Sequence, residues 1–236
     1  MLSLYFNNVR IPDFIKVVDI SESVLPSFAS STKLSTSFGS RIITISYKVR
    51  RDRFITKEQK IELLNFIKGN NFNPSKLILP DNLDIYYMAK VTNVSDITGS
   101  RFSGEGTIEF TCFDFRGFEI ESTISESSSN RLSINYIGTE CVYPKININV
   151  QSSCTKIKID FNNSLSSNYI EFNGDFKSGD RIILEQETNK VLFNGVSTPS
   201  IWSLNSKRNK LSYGVNNYSV SSGSIRFTVE FNSAFS

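Results

Sequence analysis

Short runs in which apolar and polar residues alternate one for one recur along the whole chain, and they constrain the fold more than any other feature. From Arg41 to Arg50, Ile43, Ile45, Tyr47 and Val49 share one face and Thr44, Ser46 and Lys48 share the other. The same pattern returns at Thr107 to Phe115, Pro144 to Val150, Lys156 to Phe161 and Ser224 to Phe231. A period of two is the signature of half-buried strands. The spacers are turn formers, such as Asn173-Gly174, Ser178-Gly179-Asp180, Asn194-Gly195 and Tyr213-Gly214, and the chain holds 37 Ser and 23 Asn. Such residues around short apolar runs favour many short strands over long helices.

One segment breaks the pattern. Thr56 and Gln59 form a capping-box pair, and Lys57 to Lys68 runs without Gly or Pro. Ile61, Leu63, Leu64, Phe66 and Ile67 give it a broad apolar stripe, and Gly69 suits the left-handed position beyond its end. This helix is expected to pack on a sheet. Ser95 to Gly104 reads as a loop.

The chain of 236 residues has room for two domains of ordinary size. The polar stretch 122–131, STISESSSNR, is the best boundary. Residues 1–121 then form an α+β domain with one helix on antiparallel sheets, and residues 122–236 a β-sandwich of jelly-roll type. The expected class is mainly β.

Composition removes several kinds of function. There is no His, which excludes a Ser-His-Asp triad and any His-containing metal site. Cys112, Cys141 and Cys154 form no CxxC pair and are expected to stay reduced. Glu119 and Glu121 would share a strand face, but solvent exposure explains them better than glycosidase chemistry. No catalytic, cofactor or metal residues are named. Residues 1–121 carry 15 basic and 14 acidic side chains, too balanced for nucleic acid as the main partner. The run Lys48 to Arg53 is a solvated strand end or an intersubunit contact. The first 20 residues lack the layout of a signal peptide, and no stretch approaches a membrane span. The single Trp202 is read as a core or interface residue, with a sugar platform as the alternative.

The order of segments resembles the distal tail protein (Dit) family of long, non-contractile-tailed phages of Gram-positive bacteria. Leu4-Tyr5-Phe6-Asn7-Asn8, the basic strand Arg41 to Arg53 with its following helix, Tyr86 to Val91, and Phe110 to Phe115 are similar to that family's first domain. Phe115 stands where Pro is common. Tyr143-Pro144-Lys145-Ile146, Gly179 to Leu184, Val191 to Gly195 and Tyr213 to Asn216 resemble its second domain.

The resemblance implies a structural protein at the virion tail tip, made in the host cytoplasm. It implies a homo-hexameric ring of first domains, through which DNA passes only as cargo, and galectin-like second domains around it. The implied partners are the tail tube protein, the tail-associated lysin or hub protein, and receptor-binding proteins. Neither an enzymatic activity nor a cofactor is expected. The strand Arg41 to Arg50 is expected to be an edge that pairs across subunits. Ile43, Ile45, Tyr47, Arg50 and Arg51 are the expected ring contacts. The chief alternative is a lectin-like adhesion protein, with Trp202 as its glycan contact.

Overall fold

The computed structural model describes residues 3–27, 37–50, 56–95, 98–100, 103–127 and 130–236. They divide into two compact units, Met1–Phe118 and Glu119–Ser236. The fold is mainly β, with one α-helix in the first unit. The division precedes the polar stretch 122–131 instead of falling within it.

In the first unit, β1 (Tyr5–Phe6) and β2 (Val9–Arg10) enclose Asn7-Asn8, with φ of 53° and 62°. Two successive left-handed residues are what a tight hairpin needs, and Asn tolerates that region well. β3 (Ile15–Ser27), β4 (Ser37–Arg50), α1 (Lys57–Lys68), β5 (Ser75–Leu79), β6 (Asn82–Val94), β7 (Thr98–Ser100) and β8 (Ser103–Cys112) follow. The strands run antiparallel in the order β2-β1-β5-β6-β8-β4-β3. β7 lies in the segment read as a loop: Thr98, Gly99 and Ser100 pair with Glu105, Gly104 and Ser103. Turn-rich composition hid this backbone pairing.

α1 spans the expected residues. The Thr56 hydroxyl accepts from the Gln59 N–H at 3.2 Å, and the Gln59 side chain accepts from the Thr56 N–H at 3.0 Å. Its buried stripe is narrower than expected. Leu63, Phe66 and Ile67 face the core, while Ile61 and Leu64 are exposed. Phe66 meets Phe6 edge to face at 6.1 Å, and Phe6 meets Phe110 at 5.1 Å, so the helix closes over the sheet through β1. Gly69 ends the helix at φ +50°, where a Cβ would stand 2.5 Å from the Phe6 ring. Only glycine suits both the torsion and the space.

β9 (Gly117–Glu119) leads into the second unit, whose strands are β10 (Thr123–Glu126), β11 (Arg131–Tyr136), β12 (Lys145–Val150), β13 (Cys154–Asn162), β14 (Ser167–Phe176), β15 (Arg181–Glu185), β16 (Lys190–Phe193), β17 (Val196–Ser197), β18 (Gly214–Ser222), β19 (Ile225–Phe231) and β20 (Ala234–Phe235). One sheet has the order β10-β19-β12-β15-β16-β17, the other β11-β18-β13-β14. Ile146, Ile148, Ile182, Leu184, Phe227 and Val229 of the first sheet are buried, as are Ile157, Ile159, Phe161, Ile170 and Phe172 of the second. Ring contacts between Tyr218 and Phe227 at 6.1 Å and between Tyr136 and Phe231 at 5.6 Å link the two faces, making a β-sandwich.

Two details differ from the sequence reading. β10 occupies the polar stretch, because an edge strand needs only backbone groups to pair with β19. Asn173-Gly174 is no turn: β14 runs through it, with Asn173 opposite Lys156 and Phe176 buried beyond.

Candidate functional site

β4 is not an edge. Antiparallel ladders hold it to β3 on one side and to β8 on the other. Its inward residues therefore lie in the middle of the first unit's core: Ile43 and Ile45 are fully buried and Tyr47 is 1% exposed. These three expected ring contacts are core residues, and the correction follows from pairing that period alone does not reveal. Arg50 ends β4 opposite Ser103. Arg51 lies outside the described residues. Tyr47 points toward Gly106, where a Cβ would meet its hydroxyl at 2.6 Å. Its buried hydroxyl has no partner among the described residues, and burial raises its pKa.

β3 is at one end of the path, and among the described residues its outer side pairs with no strand. It spans 13 residues and carries exposed Val18, Val24 and Leu25. Behind it, Arg41 is nearly buried. Its Nη1 donates to Glu22 at 2.6 Å and to the Tyr87 hydroxyl at 3.3 Å, and the guanidinium lies 5.0 Å from the centre of the Tyr87 ring. A buried cation needs such partners. Burial pushes the neighbouring Cys112 thiol up to about 12, with Arg41 acting in the opposite direction. Cys112 is thus a protonated, inert core residue.

In the second unit, Trp202 is not an open platform. It bridges to Phe172 at the margin of β14, and its indole Nε1 is buried without a partner among the described residues. That placement fits its reading as a packed residue.

A concavity of about 580 Å³ lies on the outer face of the four-stranded sheet. Register builds it. Arg131, Ser219 and Asp160 stand side by side on β11, β18 and β13, and Ser133, Asn217 and Asn162 form the adjacent row. Lys158 pairs with Asp160 at 3.4 Å and covers the Tyr169 ring at 4.3 Å. A buried amide fixes one end of β18. The Asn216 Oδ1 accepts from Ser212 N–H at 3.1 Å and from Asn163 Nδ2 at 2.9 Å. Its Nδ2 donates to the carbonyls of Ser212 and Gly214 at 2.8 and 2.9 Å. Every polar atom of Asn216 is satisfied, so burying it locks the turn that precedes the groove.

Among the described residues, no three His, Cys, Asp or Glu side chains come together as a metal site would need. Nor, among the described residues, is any helix long and apolar enough to cross a membrane.

Residues 137–235 match the family model described as the siphovirus-type tail component, C-terminal domain. The whole fold matches the crystal structure of the Dit protein of phage SPP1, with a TM-score of 0.75 and 13% identity, over 99% of each chain. The second unit carries that tail-component domain, and the whole chain shares the Dit fold. Two structures of the phage P2 baseplate in its activated conformation, one with calcium and one with strontium, give TM-scores of 0.45 and 0.46 at 9% identity. They cover 97% of this chain, and 97% and 96% of those chains. No curated protein matches. The segments Tyr143 to Ile146, Gly179 to Leu184, Val191 to Gly195 and Tyr213 to Asn216, on which the resemblance was drawn, all lie inside the matched region.

Proposed function

We propose that this chain is the adaptor ring of a long, non-contractile phage tail. Six first units close into a ring. The last tube subunits sit on one side, and the tail-associated lysin or hub, with receptor-binding proteins, on the other. DNA passes through the centre as cargo. The observation that carries this reading is the correspondence of fold to SPP1 Dit along both units.

Physical features of the first unit support it. A ring repeats one heterologous contact until it closes, so the surface that meets the next copy must differ from the surface that receives it. The outer side of β3, paired with no strand among the described residues, offers backbone groups beside exposed Val24 and Leu25. A long apolar edge left bare is an aggregation hazard, and pairing with a second copy covers it. Ile61 and Leu64 on the outer face of α1 are a second uncovered apolar surface. The near balance of 15 basic and 14 acidic residues in 1–121 suits a conduit that must not grip phosphates.

Val24→Asp with Leu25→Asp tests the contact. Both side chains are exposed, so the monomer should keep its circular dichroism spectrum while rings disappear from electron micrographs. Rings that persist in this double variant would remove β3 from the interface.

A further inference from the structure

We propose that the crest of α1 is a docking surface for a second copy of this chain, and that the turn between β5 and β6 of that copy is what it receives. This rests on the ring reading above and names the two surfaces of one contact.

The first sign is a turn built against its own backbone. Asn70-Asn71-Phe72-Asn73 follows the helix and closes with the Asn73 N–H donating to the Asn70 carbonyl at 2.9 Å. Asn71 and Phe72 have φ of 51° and 61°. A tight turn with two left-handed residues takes Asn readily at the first and Gly at the second. Phe72 stands where Gly is usual, and left-handed backbone is costly for a bulky side chain. Packing within the chain does not offset that cost, since Phe72 is 52% exposed. An aromatic ring held out on a strained turn is suited to anchor a partner.

This turn is set against the end of α1, where the Phe72 N–H donates to the Lys68 carbonyl at 2.8 Å. At about 3.6 residues per turn, Lys57, Ile61, Leu64 and Lys68 line the crest opposite buried Phe66, with Lys60 beside them. All five are exposed, and Glu58 and Glu62 fall on one flank. Among the described residues no carboxylate pairs with Lys57, Lys60 or Lys68, whereas Arg41, Lys48, Lys145 and Lys156 are all paired. The crest is an apolar strip edged with unpaired cations.

The chain carries the complement elsewhere. β5 and β6 join through Pro80-Asp81, and Leu83, half exposed, stands between exposed Asp81 and Asp84. Residues 80–84 include no cation, and neither carboxylate is ion-paired among the described residues. The two surfaces do not pair within one copy. Pairing them between copies gives the head-to-tail contact that a closed ring repeats.

The test exchanges the charges. Lys57→Glu with Lys60→Glu makes the crest acidic, and Asp81→Lys with Asp84→Lys makes the tip basic; all four positions are exposed. Light scattering and negative-stain images of the full chain read the result. Each double variant alone should need an about hundredfold higher concentration to form rings, because like charges then meet. Mixed in equal amounts, the two should form rings again, with the copies alternating. Rings from either variant alone at the parent's concentration overturn the proposal, and so does a mixture that stays unassembled, while the parent's rings keep the ring reading. A parent chain that forms no rings removes that reading and this contact together. Phe72→Gly should raise the Tm of the unassembled Lys57→Glu, Lys60→Glu chain, because it relieves the turn, and in the parent it should raise the concentration needed for rings. An unchanged threshold removes Phe72 from the contact.

Discussion

Tyr136 and Tyr218 are both about 1% exposed, both in the sandwich core, and opposite in their hydrogen bonding. The Tyr136 hydroxyl donates to the Glu140 carbonyl at 2.6 Å and accepts from the Ala234 N–H at 3.0 Å. The Tyr218 hydroxyl has no partner among the described residues, and burial raises its pKa strongly. Phe substitution keeps either ring and removes only the oxygen. In Tyr136→Phe it breaks two bonds and strands a buried N–H, at a cost of about 2–3 kcal/mol. In Tyr218→Phe it removes a desolvated group that gains nothing, so stability should hold or rise by about 1 kcal/mol. Trp202 is the only Trp and lies in the second unit, so urea titration followed by its fluorescence reports that unit alone. With a urea slope of about 2 kcal/mol/M, the Tyr136→Phe midpoint should fall by about 1–1.5 M, and the Tyr218→Phe midpoint should stay or rise by about 0.5 M. Equal losses in the two variants would refute the reasoning.

Ile45→Asp should unfold the first unit, because a carboxylate would replace a fully buried side chain in a strand paired on both sides; loss of cooperative melting by circular dichroism checks this. Under native conditions iodoacetamide should leave Cys112 unmodified while reaching the partly exposed Cys141 and Cys154, as peptide mass mapping would record. Asp180 accepts from Asn194 Nδ2 at 2.9 Å and from the Lys177 N–H at 2.7 Å, and these bonds lower its pKa. A lowered folded pKa gives stability that is present above the ordinary Asp value of about 3.9 and is lost as pH falls through the folded value. Asp180→Ala should therefore lower Tm at neutral pH and show a smaller further drop on acidification than the parent chain.

Local signals were readable and pairing was not. Thr56, Gln59 and Gly69 specify the helix ends through contacts within a few residues, and α1 begins and ends where they place it. The inward face of β4 was equally plain from its alternation. Its place in the middle of the sheet was not, because that depends on β3 and β8, which close over it from distant parts of the chain. β18 escaped notice for another reason. Its inward positions are Asn216 and Tyr218, and a buried amide looks like a loop residue until its four hydrogen bonds are seen. The groove is illegible for the same cause as the central place of β4: Arg131, Asp160 and Asn217 meet only through register. The order of turns and strands in the second half did carry the family, since turn chemistry is fixed locally.

The central claim is a closed ring, and the mass of the purified chain measures it most directly. Light scattering across a range of concentrations, with negative-stain images of the same peak, should give about six times the 26.7 kDa chain mass and rings with a central hole. A strict monomer at every concentration, with no rings in the images, would contradict it.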